Sequence, residues 1–313
     1  MIGLSEVEAA AHRIRPYCHV TPVMTSESIN QLTGCQVFFK CDHLQKAGAF
    51  KSRGAVNAVF SHSQEQLNRG VCTHSSGNHG AALARAAGLR QIPSFIVVPK
   101  SANPLKKEAI VHYGGKLVTC DNTLAARATK LEEVRLQTGA VEVPPYDDPY
   151  IIAGQGTAGL ELLAQVPELN SIMVPVGGGG LLAGAILAAN ARVKVYGAEP
   201  EKADDAHRSL RTGIRVLEHQ PDTLCDGLLT TLGDMNFEII KQGAEDILLV
   251  SEDQIITAME FIWRYLKQLV EPSSAVVLAA IMAHRDVFAG KKIGVVLTGG
   301  NVDYRNLPFT AST

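Results

Sequence analysis

The run IMVPVGGGGLLAGAILAANA, residues 172–191, decides the fold. Ile172 to Val176 is short, apolar and bounded by glycine, which predicts a strand, whereas Leu181 to Ala191 is longer, rich in leucine and alanine, and predicts a helix. Gly177, Gly178, Gly179 and Gly180 stand between them. Strand, glycine loop and helix in this order make a phosphate site: backbone N–H groups can turn inward where no side chain obstructs them, and the helix adds the positive end of its dipole. The same loop satisfies a dinucleotide fingerprint, Gly178-x-Gly180-x-x-Ala183, with Glu199 near the end of the next strand at the acidic position. A nicotinamide oxidoreductase is therefore one reading of the loop, and the rest of the chain has to decide.

Outward from this unit the pattern repeats. β-Rich runs at 37–41, 71–74, 94–98, 116–120, 194–198, 247–250 and 293–297 alternate with segments of helical periodicity, which means βαβ units and mostly parallel sheets. Ser5-Glu6-Val7-Glu8 predicts a capping box opening a first helix, with Val7, Ala10, Ala11 and Ile14 on its apolar face. Pro144 to Pro149 is the best candidate for a linker between two α/β units. The 313 residues carry 29 Lys+Arg against 31 Asp+Glu, and no basic block, so the footprint of a nucleic-acid or anionic-membrane binder is absent and a small-molecule partner is expected. No signal-peptide pattern opens the chain and no apolar run is long enough to span a bilayer, giving the expectation of a cytoplasmic protein. Cys18, Cys35, Cys41, Cys72, Cys120 and Cys225 lack CxxC spacing and read as reduced thiols.

Three further motifs carry chemistry. Lys51 lies between a glycine turn and an Arg-Gly-Ala helix start, with Phe50 beside it; a lysine desolvated there has the lowered pKa that a Schiff-base amine needs, while a solvated surface lysine is the plainer alternative. His74-Ser75-Ser76-Gly77-Asn78-His79-Gly80 follows a strand and opens a helix, so it offers N–H groups and hydroxyls to a carboxylate, or serves merely as an N-cap. Thr298-Gly299-Gly300-Asn301 ends the last strand, where ligands collect in open parallel sheets. Glu199, Asp205 and a backbone carbonyl between them form either a solvated acidic turn or a set of hard oxygen ligands.

Taken together, Gly48-Ala49-Phe50-Lys51-Ser52-Arg53-Gly54, Ser75-Ser76-Gly77-Asn78-His79, the tetraglycine loop and Thr298-Gly299-Gly300-Asn301 resemble the fold type II pyridoxal phosphate enzymes (tryptophan synthase β-like), in particular the serine racemase and serine/threonine dehydratase family. The resemblance covers nearly the whole chain, including Thr21-Pro22-Val23, Ile152 to Thr157 and Glu271-Pro272. It implies two open α/β domains: a large cofactor-binding domain from residues 1–67 and 145–313, and a small one inserted as 68–144. It implies pyridoxal 5'-phosphate bound to Lys51, flanked by Phe50 and Gly227, with its phosphate on Gly177, Gly178, Gly179, Gly180 and Leu181, its ring hydroxyl on Asn78 and its pyridine nitrogen facing Thr298. Ser75, Ser76, Gly77, Asn78 and His79 match the loop that receives the substrate carboxylate, and Ser76 matches a serine facing Cα opposite the lysine, which permits racemisation. Glu199, Ala203 and Asp205 match a divalent-cation site for Mg²⁺, Ca²⁺ or Mn²⁺. A homodimer is implied.

The implied activity is β-elimination from L-serine or L-threonine, giving pyruvate or 2-oxobutanoate plus ammonia. Lys51 takes the Cα proton, and the hydroxyl of Thr298 leaves the pyridine nitrogen largely unprotonated. Serine racemisation and 3-hydroxyaspartate dehydration are the near alternatives; the nicotinamide oxidoreductase and a non-catalytic pyridoxal phosphate-binding protein are the remote ones. Glu27 places a carboxylate where some members of that family bind nucleotide phosphates, a departure that leaves nucleotide activation open.

Overall fold

In a computed structural model, which describes residues 2–75 and 77–309, two sheets organise the chain. The strands in chain order are β1 (Val23–Met24), β2 (Gln36–Lys40), β3 (Val71–His74), β4 (Ser94–Pro99), β5 (Lys116–Cys120), β6 (Val141–Glu142), β7 (Ser171–Pro175), β8 (Lys194–Pro200), β9 (Asp246–Val250) and β10 (Lys292–Val296). Six form one sheet in the order β1-β2-β10-β7-β8-β9, parallel except for β1, which runs antiparallel to β2. The other four form a wholly parallel sheet, β5-β4-β3-β6, built only from residues 71–142. Every residue of β7 is buried, which is why its sequence reads as an unbroken apolar run rather than as an alternation.

Helices cover both faces of each sheet. Separate apolar clusters lie on the two sides of the six-stranded sheet, one centred on Phe39, Met173, Val277 and Val295, the other on Ile172, Val174, Leu182 and Val296. Two more sandwich the four-stranded sheet, around Val71, Leu83 and Ile96 on one side and Cys72, Val97 and Leu131 on the other. The helices Pro149–Gln165 and Gly180–Ala189 touch backbone to backbone: a Cβ built on Gly184 would lie 2.5 Å from the Gly156 nitrogen.

Strand order locates the crevices. After β7 the chain moves to β8 and β9 and then returns to place β10 on the other side of β7. In the smaller sheet it moves from β3 to β4 and β5 and then returns with β6 on the other side of β3. Each reversal opens a gap at the carboxyl ends of the flanking strands, the position where open α/β sheets hold ligands. Gly177–Gly180 follows β7, Thr298 follows β10, Ser75–His79 follows β3 and Val143–Tyr146 follows β6.

Two local expectations are corrected. The first helix, Leu4–Ile14, is capped by Gly3 and not Ser5; Glu6, at the third helical position, accepts the Gly3 N–H at 2.6 Å. Val7, Ala10 and Ile14 form its buried face as expected, but Ala11 is half-exposed. The helix after the tetraglycine loop starts at Gly180 and stops at Ala189, because Asn190 adopts the left-handed conformation that ends it.

Candidate active site

The four loops meet. Backbone pairing brings the Lys51 segment to the end of β10: Phe50 N donates to Thr298 O at 2.9 Å, and Ala49 forms an antiparallel bridge with Gly299. Lys51 opens the helix Lys51–Ser61, and its Nζ donates to the Pro145 carbonyl at 2.6 Å, spanning to the loop after β6. Its ammonium end lies 5.1 Å from the Phe50 ring centroid. Burial, without a carboxylate partner, brings the Lys51 pKa down to about 8. The solvated-lysine alternative is thereby set aside.

Two residues on, Arg53 locks this helix start in place. Its fully buried guanidinium meets the Asp42 carboxylate through Nε at 2.6 Å and Nη2 at 2.9 Å, and the Glu161 carboxylate through Nη1 at 2.7 Å and Nη2 at 2.9 Å. Lys40, also fully buried, adds an ion pair to Glu161 at 2.6 Å.

The glycine loop has the character of an anion nest. Gly177, Gly178, Gly179, Gly180 and Leu181 are all buried, yet none of their N–H groups donates to an acceptor among the described residues. A phosphate supplies what these donors lack. The loop is held from behind: Asn236 Nδ2 donates to Gly178 O at 2.7 Å, and a Cβ on Gly178 would fall 2.3 Å from the Tyr146 ring. Tyr146 and Asn236 carried no signal in the sequence, since an aromatic packed on a glycine loop and a buried amide obey no spacing rule. Gly227 lies against the loop, its carbonyl 3.0 Å from where a Gly177 Cβ would be, and its N–H goes to Ser273 Oγ at 3.1 Å. Thr298, buried, shares a hydrogen bond with Ser274 at 3.0 Å. A lysine of lowered pKa, a nest of free N–H groups and a neutral hydroxyl in one crevice fit an aldehyde-bearing phosphate cofactor.

Asn78 opens the helix Asn78–Leu89. Its Oδ1 accepts from Asn301 Nδ2 at 2.9 Å, and its Nδ2 donates to Glu271 Oε2 at 2.8 Å. Ser75 Oγ accepts the Gly77 N–H at 3.4 Å. His79 departs from the expected carboxylate contact as far as its side chain is concerned. The ring is buried and its Nε2 donates to Val143 O at 3.0 Å; burial first, then the Lys51 charge, push its pKa down to about 3, so it stays neutral. Its Nδ1, an acceptor without a partner, cannot receive a carboxylate, so what His79 offers one is its backbone N–H. Ser76 lies outside the described residues.

The cation set is partly spoken for. Glu199 is fully buried, and its two oxygens accept the N–H groups of Ala206 at 3.1 Å and His207 at 2.9 Å, leaving each oxygen a further lone pair for a ligand. Asp205 Oδ1 is buried without a satisfied hydrogen bond, faced by His219 Nδ1 at 3.0 Å. Burial, and then the neighbouring Asp205, raise the Glu199 pKa well above the carboxylate range; burial brings that of Asp205 up to about 6. Among the described residues, no three His, Cys, Asp or Glu side chains converge as a metal cluster. The expected set has only two carboxylates and the Ala203 carbonyl, and the orphaned Asp205 oxygen is the feature that fits a cation.

Comparison with known proteins agrees with this geometry. Residues 14–299 match the family model described as pyridoxal-phosphate dependent enzyme. The chain is 44% identical over 304 residues to a β-hydroxyaspartate dehydratase of Paracoccus denitrificans, covering 96% of both, and 45% identical over 314 residues to a serine racemase of Dictyostelium discoideum, covering 98% of this chain and 97% of that one. The structure of maize serine racemase superposes with a TM-score of 0.95 at 42% identity, over 97% of this chain and 94% of the other. With the lysine, the glycine nest and the strand-end hydroxyl in one crevice and a family match over almost its full length, the chain belongs to the pyridoxal-phosphate-dependent enzymes.

Proposed function

We propose that the protein is an ammonia-lyase that removes the β-hydroxyl and α-amino group of a small β-hydroxy amino acid, L-serine or L-threonine, with serine racemisation as a companion activity. The observation that carries this reading is Lys51: a half-buried amine with a pKa of about 8, in the crevice between the two sheets. When bound there, pyridoxal phosphate supplies the electron sink that makes the substrate Cα–H acidic.

The chain's own residues do the rest. Gly177–Gly180 and Leu181 would hold the phosphate by their free N–H groups, while Phe50 and Gly227 would flank the ring. Thr298 would present a neutral hydroxyl to the ring nitrogen, which would keep the sink shallow and let loss of the β-hydroxyl compete with reprotonation. Ser75, Gly77 and the first N–H groups of the helix Asn78–Leu89 receive the substrate carboxylate. Lys51 Nζ takes the Cα proton on one face and Ser76 serves the other, the two-sided arrangement that racemisation needs. The products are a 2-oxo acid and ammonia, the water lost with the β-hydroxyl being taken up again when the C–N bond is hydrolysed. A second reading, in which 3-hydroxyaspartate is the main substrate, is favoured by the β-hydroxyaspartate dehydratase relative. We also assign a divalent cation to Asp205, Glu199 and the Ala203 carbonyl, with water completing its shell, and a homodimer as the assembled form.

The test is an assay of 2-oxo acid from L-serine, L-threonine, D-serine and 3-hydroxyaspartate with the cofactor-loaded protein, beside Lys51→Ala. The expected result is product from at least one substrate and a loss of at least about 10³-fold in the variant, in which the positioned base is gone. Turnover retained in Lys51→Ala overturns the mechanism.

A further inference from the structure

Glu271 had no role in the reading above, yet it is the most constrained acid near the crevice. It is buried, its Oε1 has no hydrogen-bond partner, and its Oε2 takes the Asn78 Nδ2 proton at 2.8 Å. The backbone is shaped to admit it: Glu271 N donates to Gly299 O at 2.9 Å, and a Cβ on Gly299 would lie 2.0 Å from Glu271 Oε2.

We propose that Glu271 is a positioning residue that fixes which end of the Asn78 amide faces the cofactor's ring hydroxyl. The inference rests on the reading that Asn78 addresses that hydroxyl. An asparagine amide can be turned over with little change of shape, so its orientation is set by its partners. Here the partners form a chain with two fixed ends. At one end is the Ala47 carbonyl, which can only accept; Asn301 Nδ2 donates to it at 2.8 Å and to Asn78 Oδ1 at 2.9 Å. At the other end is the Glu271 carboxylate, which when ionised can only accept. Between two acceptors, both amides have a single consistent arrangement, and it leaves Asn78 with its second N–H as a donor to the site. Turning Asn78 over would set its carbonyl oxygen against a carboxylate and its NH₂ against that of Asn301.

Protonating Glu271 relaxes the constraint, because a carboxylic acid can donate. Burial raises its pKa to about 7; the Asp226 carboxylate adds to that rise, while the Lys106 ammonium, 4.0 Å from Oε1, and the Asn78 amide oppose it. Lys106 also pairs with Asp226.

The experiment uses the cofactor-loaded enzyme and reads its visible absorption from pH 6 to 9 together with the dissociation constant for pyridoxal phosphate. The variants are Glu271→Gln, whose amide can both donate and accept, and Asn301→Ala, an exposed position that removes the other anchor without disturbing the core. The expected result is a displaced absorption band in both variants, a roughly tenfold weaker cofactor in Glu271→Gln, matching about 1.4 kcal/mol, and a double variant whose effect is smaller than the sum of the singles, since both act on one amide. Glu271→Gln and Asn301→Ala spectra that superimpose on the parent at every pH, with parental cofactor affinity, overturn the proposal when Asn78→Ala moves the band. If Asn78→Ala does not move it, the role of Asn78 itself is wrong and the proposal falls with it. A purely structural Glu271 lowers the melting temperature and leaves the band in place.

Discussion

Lys51 is the residue whose chemistry is most directly set by its surroundings. Because burial lowers its pKa to about 8, roughly a tenth of the amine is in the neutral form needed to capture an aldehyde at pH 7, about two hundred times the fraction of a free lysine. The rate at which cofactor-free protein combines with pyridoxal phosphate is therefore expected to rise through a midpoint near 8, well below that of a free lysine at about 10.4; stopped-flow absorbance across a pH series measures it. Glu271 gives a prediction of opposite sense. Its folded pKa of about 7 exceeds the ordinary 4.5, so between these values the native state holds a proton that the unfolded state has lost, and stability falls as pH rises through the window. Melting temperature against pH should be flatter from 5 to 7 in Glu271→Gln than in the parent. At this scale the sequence was generous where a motif is contiguous, as at Lys51, Asn78 and the four glycines. It was silent about how Glu271 and Asn301 converge on Asn78, because they lie 193 and 223 positions from it and no local rule constrains them.

Elements were read from periodicity, and the interior strands emerged within one or two residues of their observed bounds since each is a compact apolar run. The two-residue strands β1 and β6 escaped, being too short to have a period. What periodicity could not show is how closely elements approach. The helices Pro149–Gln165 and Gly180–Ala189 pack through Gly156 and Gly184, so Gly184→Ala is expected to cost about 2–3 kcal/mol in chemical denaturation, the upper part of the range for overpacking. Arg53 was quoted only as part of a motif; the structure shows it tying the helix that starts at Lys51 to β2's far end and to the helix bearing Glu161. Arg53→Met strands Asp42 as a buried, unpaired charge, with an expected loss of about 3–5 kcal/mol on the same measurement.

Across the whole molecule, a mostly parallel six-stranded sheet and a parallel four-stranded one are joined through Lys51 with Pro145 and through Asn78 with Glu271 and Asn301, and the proposed site lies at that junction. Fold class was legible because alternating strand and helix signals leave few alternatives, and the inserted small unit was expected only from the resemblance. The proposed cation is a property of the same scale, since a ligand of the native state alone stabilises all of it. Saturating Mg²⁺ at about a hundred times its dissociation constant should add about 2.7 kcal/mol. Thermal unfolding with and without Mg²⁺ checks this, and Asp205→Asn should abolish the shift.

The pairing of Phe50 with Thr298 has a consequence for how the enzyme comes into being. The lysine to which we assign the chemistry is made about 240 residues before the strand that finishes its seat, β10. The four-stranded sheet, contiguous in sequence, can assemble while synthesis continues; the Lys51 amine cannot be sequestered until β10 and Thr298 have been made. A nascent chain halted before residue 292 is thus expected to be partly ordered and chemically inert, so that competence arrives late and all at once.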